Sequence, residues 1–216
     1  MQSIRAFQKQ VRRGVARRVA RVKHFAGLIL FLFISPIVIL YFGIIPFSAR
    51  LWILGLYMLV AISIVIRQER SLRSLGMRSD NLKTTVVPYT IFTLVSVLLL
   101  LLFAHILGKE PIPEWTHNSS LLFLFIPISF TQEFLYRSVL MTELRRFYAS
   151  IISVIIVNSL LFTFLHIIYG EPFITLPLAL VAGVGFSFMY YKYPNLWMIA
   201  LSHSILNFVA VLYSFF

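Results

Sequence analysis

The chain has no cysteine, so disulfides, Cys-ligated zinc and thiol nucleophiles are all excluded. Acids are scarce: 7 Asp and Glu stand against 19 Lys and Arg, a net charge of +12. Charged residues reach only 12% of the total, about half of what soluble globular chains carry. In a soluble protein such a positive excess suggests nucleic acid. Here the positives flank long apolar runs, so they read as topology signals and contacts to anionic lipid, with no nucleic-acid partner. No internal repeat, low-complexity linker or second domain is visible. There is no His-Glu-x-x-His metalloprotease motif. No Gly-x-Ser-Gly or Gly-x-Gly-Asp of serine or aspartyl intramembrane proteases occurs; Gly183-Val184-Gly185 is followed by Phe186.

What is plentiful is hydrocarbon. Apolar residues make up 60% of the chain, with a mean hydropathy of +0.91. Seven long apolar runs stand out, at 25–45, 50–66, 86–108, 120–144, 150–168, 173–191 and 195–215. At about 1.5 Å per helical residue each can cross about 30 Å of hydrocarbon. Pro36, Pro88, Pro127 and Pro177 fall inside the runs, as membrane helices allow. The expected fold is therefore all-α, a polytopic transmembrane helix bundle of about seven spans. Residues 1–24 form a basic N-terminal segment, 25–118 the first spans, and 119–216 the half that carries the chemistry.

Lys and Arg placement gives the orientation. Seventeen of the 19 fall on one side of the expected spans: Arg5 to Lys23, Arg67 to Lys83, Arg137, Arg145, Arg146 and Lys192. Only Arg50 and Lys109 fall on the other. The positive-inside rule predicts a multi-pass protein of the cell membrane with a cytoplasmic N-terminus. The first apolar run is long and lacks a small-residue cleavage site, which predicts an uncleaved anchor with residues 1–24 lying on anionic headgroups.

Ionisable groups inside a membrane are costly, so each is a site hypothesis. Glu133 lies inside the fourth run with Arg137 one turn on. His166 lies in the fifth run, one turn after Phe162 and two after Asn158. His203 lies in the seventh, one turn before Asn207. Each set shares one helix face. Counted from the basic side, Glu133, His166 and His203 lie roughly 18, 24 and 13 Å deep. The three stripes are expected to face one another or a wet cavity.

At these residues the chain resembles the CPBP intramembrane proteases, the family of Rce1-type CAAX prenyl endopeptidases and of bacterial relatives linked to bacteriocin processing and immunity. Gln132-Glu133-Phe134-Leu135-Tyr136-Arg137 is similar to its Glu-Glu-x-x-x-Arg motif. Phe162-Thr163-Phe164-Leu165-His166 is similar to its Phe-x-x-x-His, and His203-Ser204-Ile205-Leu206-Asn207 to its His-x-x-x-Asn. The order also matches, over roughly residues 120–210. Two positions depart. Gln132 stands where the family has its first glutamate, the usual candidate for activating water. Ser138 stands where glycine commonly follows the arginine.

The resemblance implies a membrane-embedded endopeptidase acting on a membrane-associated protein or peptide. Peptide hydrolysis needs an activated water, an oxyanion stabiliser and a proton donor for the leaving amine. On this reading Glu133, with His166, activates the water. His203 and Asn207 donate to the oxyanion, Gln132 orients the water, and Arg137 holds Glu133. A zinc variant would use Glu133, His166 and His203, with the fourth position open to water. Two alternatives remain. One is a catalytically inactive CPBP-like scaffold or immunity and binding protein, favoured by Gln132. The other is a small proton-coupled transporter.

Overall fold

A computed structural model describes residues 16, 19, 20, 22–113 and 119–215. Most of the basic segment (Arg5, Lys9, Arg12, Arg13, Arg17, Arg18, Arg21), Glu114 and His117 lie outside the described residues. Among the described residues the long elements are all helices: α1 Val22–Tyr41, α2 Arg50–Arg67, α3 Leu82–Ile106, α4 at 119–147, α5 Ile151–Leu165, α6 Pro172–Lys192 and α7 Leu196–Leu212. Five of the apolar helical runs are long and apolar enough to cross a bilayer: Val22–Tyr41, Phe47–Arg67, Leu82–Ile106, Ile151–Ile168 and Pro172–Lys192. These five make the chain a multi-pass membrane protein. The fourth run carries its acid and base inward, and α7 spans only 17 residues.

The bundle is inside-out relative to a soluble protein. Its outer surface is apolar; Trp52, Ile66, Leu98 and Val181 are all more than 60% exposed. Its interior holds Glu133, Arg137, Asn158, Ser187 and His203, all buried. Lipid satisfies the first set and would penalise the second.

Connections alternate between two ends. At one end Phe25 stacks on Phe147 with ring centroids 4.0 Å apart. Arg70 pairs with Glu143, and Asn195 Nδ2 donates to the Arg78 carbonyl at 3.0 Å. Arg78 also hydrogen-bonds Asp80, which holds that loop carboxyl below the usual carboxylate range. At the other end Lys109 Nζ meets Glu171 Oε2 at 3.1 Å, and the Ile112 N–H donates to the Leu212 carbonyl at 2.8 Å. The loops rich in Lys and Arg thus gather at one end.

Gly76 fixes this basic end. It sits at φ +76°, and its carbonyl receives the Leu196 N–H at 2.8 Å. A Cβ there would collide with the Tyr190 hydroxyl. Left-handed backbone plus the clash gives Gly76→Ala an expected cost of about 1–3 kcal/mol. Thermal unfolding in detergent measures it, and an unchanged midpoint would show that the loop repacks freely.

Helix α4 is irregular for a reason visible in its neighbours. Ser119–Glu133 is α-helical, Phe134–Leu140 is π-helical, and Met141–Phe147 returns to α. All seven π residues are buried. The wider turn turns carbonyls toward side chains that accept the offer. The Tyr136 carbonyl receives the Met141 N–H and also Asn158 Nδ2, at 2.7 Å. The Ser138 carbonyl receives Thr142 Oγ1 at 2.8 Å. Such π segments concentrate at functional sites.

Candidate active site

Helices α4 and α7 run antiparallel and pack tightly on each other. Ser129, Glu133 and Arg137 follow at four-residue intervals on α4, so they share a face. His203 and Asn207 do the same on α7. Antiparallel packing then pairs 133 with 203 and 129 with 207. Both contacts form: His203 Nδ1 lies 2.7 Å from Glu133 Oε1, and Asn207 Nδ2 donates to Ser129 Oγ at 3.1 Å. The Glu133 carboxylate accepts, so the His203 proton sits on Nδ1 and the Nε2 lone pair points away from Glu133.

Glu133 is 0% exposed, as is Arg137. Arg137 Nε lies 3.1 Å from Glu133 Oε2. Its guanidinium lies over the Phe162 ring, 4.8 Å from the centroid. Its Nη2 reaches the Gly183 carbonyl at 3.5 Å. The ion pair is thus clamped between α5 and α6. Gly183 permits this by its size, since a Cβ there would lie 3.3 Å from the Ser159 backbone.

His166 closes the C-terminal turn of α5. Its Nδ1 lies 2.9 Å from the Phe162 carbonyl. A carbonyl only accepts, so this imidazole also carries its proton on Nδ1. Phe162 lies between the two histidines, with centroids 4.9 Å from His166 and 5.5 Å from His203. His166, His203, Asn207 and Phe162 line one cavity of about 360 Å³, walled otherwise by Ser96 and by apolar residues of α3, α6 and α7. Glu133 stands behind His203 and is not on that wall. Gln132 is turned elsewhere. It lines a separate cavity of about 80 Å³ among α1, α2 and α4, with Arg50 and Tyr57. Its Oε1 is buried there without a hydrogen-bond partner among the described residues. A step of about 100° per residue accounts for the divergence of 132 and 133.

Comparison with known families adds a second line. Residues 114–209 match the family described as type II CAAX prenyl endopeptidase Rce1-like. No curated protein and no solved structure matches the chain. The Rce1-like family is a protease family, and its match covers α4 to α7 up to the last turn, the helices that carry Glu133, His166 and His203.

Zinc would need three donors among Glu133, His166 and His203 to converge with open lone pairs. One Glu133 oxygen accepts the hydrogen bond from His203 Nδ1–H and the other faces Arg137. The Nδ1 of His166 is committed to a carbonyl. A dication among them would displace a hydrogen bond and sit beside a buried guanidinium. Among the described residues no three His, Asp or Glu side chains come together as a metal-ligand group. The residues as arranged do not fit a zinc centre.

Several side chains that support this site do not stand out in the sequence. Ser129 orients Asn207, and its position one turn before Glu133 was the available signal. Ser187 Oγ donates to Gly183 O at 2.7 Å and reaches Asn158 Oδ1 at 3.1 Å. Asn158 in turn holds the π turn that carries Arg137. Thr93 Oγ1 on α3 reaches Ser202 Oγ on α7 at 2.7 Å, next to His203. No pattern marked Thr93 or Ser187 beforehand, because serine and threonine are ordinary in membrane helices.

Proposed function

We propose that the protein is a membrane-embedded endopeptidase in which Glu133 and His203 act as a carboxylate–imidazole dyad. The observation that carries this reading is the 2.7 Å contact of His203 Nδ1 with Glu133 Oε1, at the wall of a cavity shared with His166 and Asn207. His203 Nε2 takes a proton from water, and the hydroxide adds to the substrate carbonyl. Glu133 stabilises the resulting imidazolium. The Asn207 amide, steadied by Ser129, donates to the oxyanion. The imidazolium then protonates the departing nitrogen as the C–N bond breaks, leaving a carboxylic acid and an amine. His166 helps hold the water. Arg137 holds Glu133 in place. No metal enters these steps, so cleavage should persist in EDTA.

The substrate on this reading is a membrane-associated protein or peptide. Prenylated CAAX peptides, named in the family description, are one class to test beside unmodified apolar peptides. The positive-inside rule supports a cytoplasmic basic end in the cell membrane, in contact with anionic lipid.

A second reading is a non-catalytic relative that binds a peptide. It is favoured by Gln132, an amide that cannot take a proton from water, turned into the other cavity. The test is cleavage of a fluorogenic peptide library by purified protein in proteoliposomes. Cleavage by wild type, lost in His203→Ala at equal folded protein, supports the enzyme. Tight peptide binding with no cleavage by wild type supports the scaffold.

A further inference from the structure

The cavity that holds the two imidazoles has a second boundary, formed by α3 and α6. Helix α3 packs on α7, and α6 packs on α5; α3 and α6 touch each other at few points. The main brace between them is Phe92. Its ring meets Phe186 edge-on, with centroids 5.6 Å apart. It lies so close to Gly185 that a Cβ there would fall 2.9 Å from the ring. Phe92 is ten residues into α3, roughly 15 Å from the basic end. Beyond the brace, away from that end, the helices leave a gap. Val95, Leu99 and Val181 line the cavity and are also 49, 60 and 70% exposed. One set of side chains thus faces the catalytic groups on one side and the bilayer on the other. Apart from Ser96, the side chains that α3 and α6 contribute to this gap are apolar. A charged segment passing here would pay the cost of a charge in hydrocarbon.

We propose that the substrate enters sideways from the bilayer between α3 and α6, as an unwound apolar segment of a membrane-embedded polypeptide, and that Phe92 on Gly185 is the stop that limits side-chain size at the basic-end side of the scissile bond. This rests on the endopeptidase reading. The cavity volume of about 360 Å³ suits two or three apolar residues. Unwinding brings the peptide carbonyl within reach of imidazoles that a helix would keep at a distance. Phe92 touches no reacting atom; it sets specificity.

The absence of native cysteine makes the test clean. Single variants Val181→Cys and Leu99→Cys are placed in proteoliposomes of neutral phospholipid. They are treated with a membrane-soluble maleimide, a charged water-soluble maleimide, or the first after adding an apolar transmembrane peptide. The expected result is labelling by the membrane-soluble reagent alone, slowed at least tenfold by the peptide. Equal labelling by the charged reagent overturns the proposal, because water then reaches the gap from an end. Labelling blocked until lipid is stripped also overturns it, because an acyl chain is then the occupant. Peptide protection in a wild-type background that cleaves nothing supports the entry route while defeating the endopeptidase reading. If cleavage occurs, Phe92→Ala should raise kcat/KM about tenfold for substrates with tryptophan beside the scissile bond, relative to alanine there. No change in that ratio removes Phe92 as the stop.

Discussion

Exchanging Glu133 for glutamine is expected to lower kcat by about 10²–10⁴-fold, the range associated with a positioned acid–base group. Glutamine keeps the size but not the charge, so the imidazolium on His203 loses its counterion. KM should change little, because Glu133 is wholly buried and stands off the cavity wall. His203→Ala should lose a similar factor. Single-turnover cleavage, normalised to folded protein, separates this from simple loss of structure. A drop below tenfold in kcat would remove the dyad from the mechanism.

Arg137→Leu carries the largest expected stability effect, about 3–5 kcal/mol, the cost of leaving one member of a buried pair without its partner. Arg137 has no exposed surface, and neither does Glu133. The loss should therefore come from the stranded carboxylate rather than from packing. Adding Glu133→Leu to Arg137→Leu should recover at least half of it, since the paired charges disappear together. Reversible unfolding in mixed micelles measures both variants. If the double variant is worse than the single one, packing dominates and the ion-pair account is wrong.

Much of this arrangement was legible in the sequence, and for a specific reason. Hydrocarbon punishes stray polarity, so Glu133, Arg137, His166 and His203 announced themselves as inward-facing by position alone. The helical runs were also readable, because apolar length is a strong signal; the observed helices lie within a few residues of the expected ones. The separate facing of Gln132 and Glu133 followed from helical rotation. Partner choice was harder. Spacing within a helix places Glu133 on a face but does not say whether that face meets α5 or α7. Depth estimates of roughly 18, 24 and 13 Å leave slack larger than a hydrogen bond. The sequence reading joined Glu133 to His166, whereas the contact in the structure is with His203. The π turn was invisible as well, because it depends on what Asn158 and Thr142 offer its carbonyls and not on its own residues.

That π turn also has a consequence for how the chain tolerates length changes. Seven residues wound more loosely than their neighbours act as a phase adjuster between two halves of one rod. Above it, Glu133 must point at α7; below it, Glu143 must point at Arg70 and Arg146. Removing a single residue from 134–140 would let the rod tighten into an ordinary helix and would turn the lower acid only slightly, because seven loosely wound residues and six α-helical ones sweep nearly the same angle. A one-residue deletion in this stretch should therefore be milder than one within Ser119–Glu133, where no loosely wound turn takes up the change of phase.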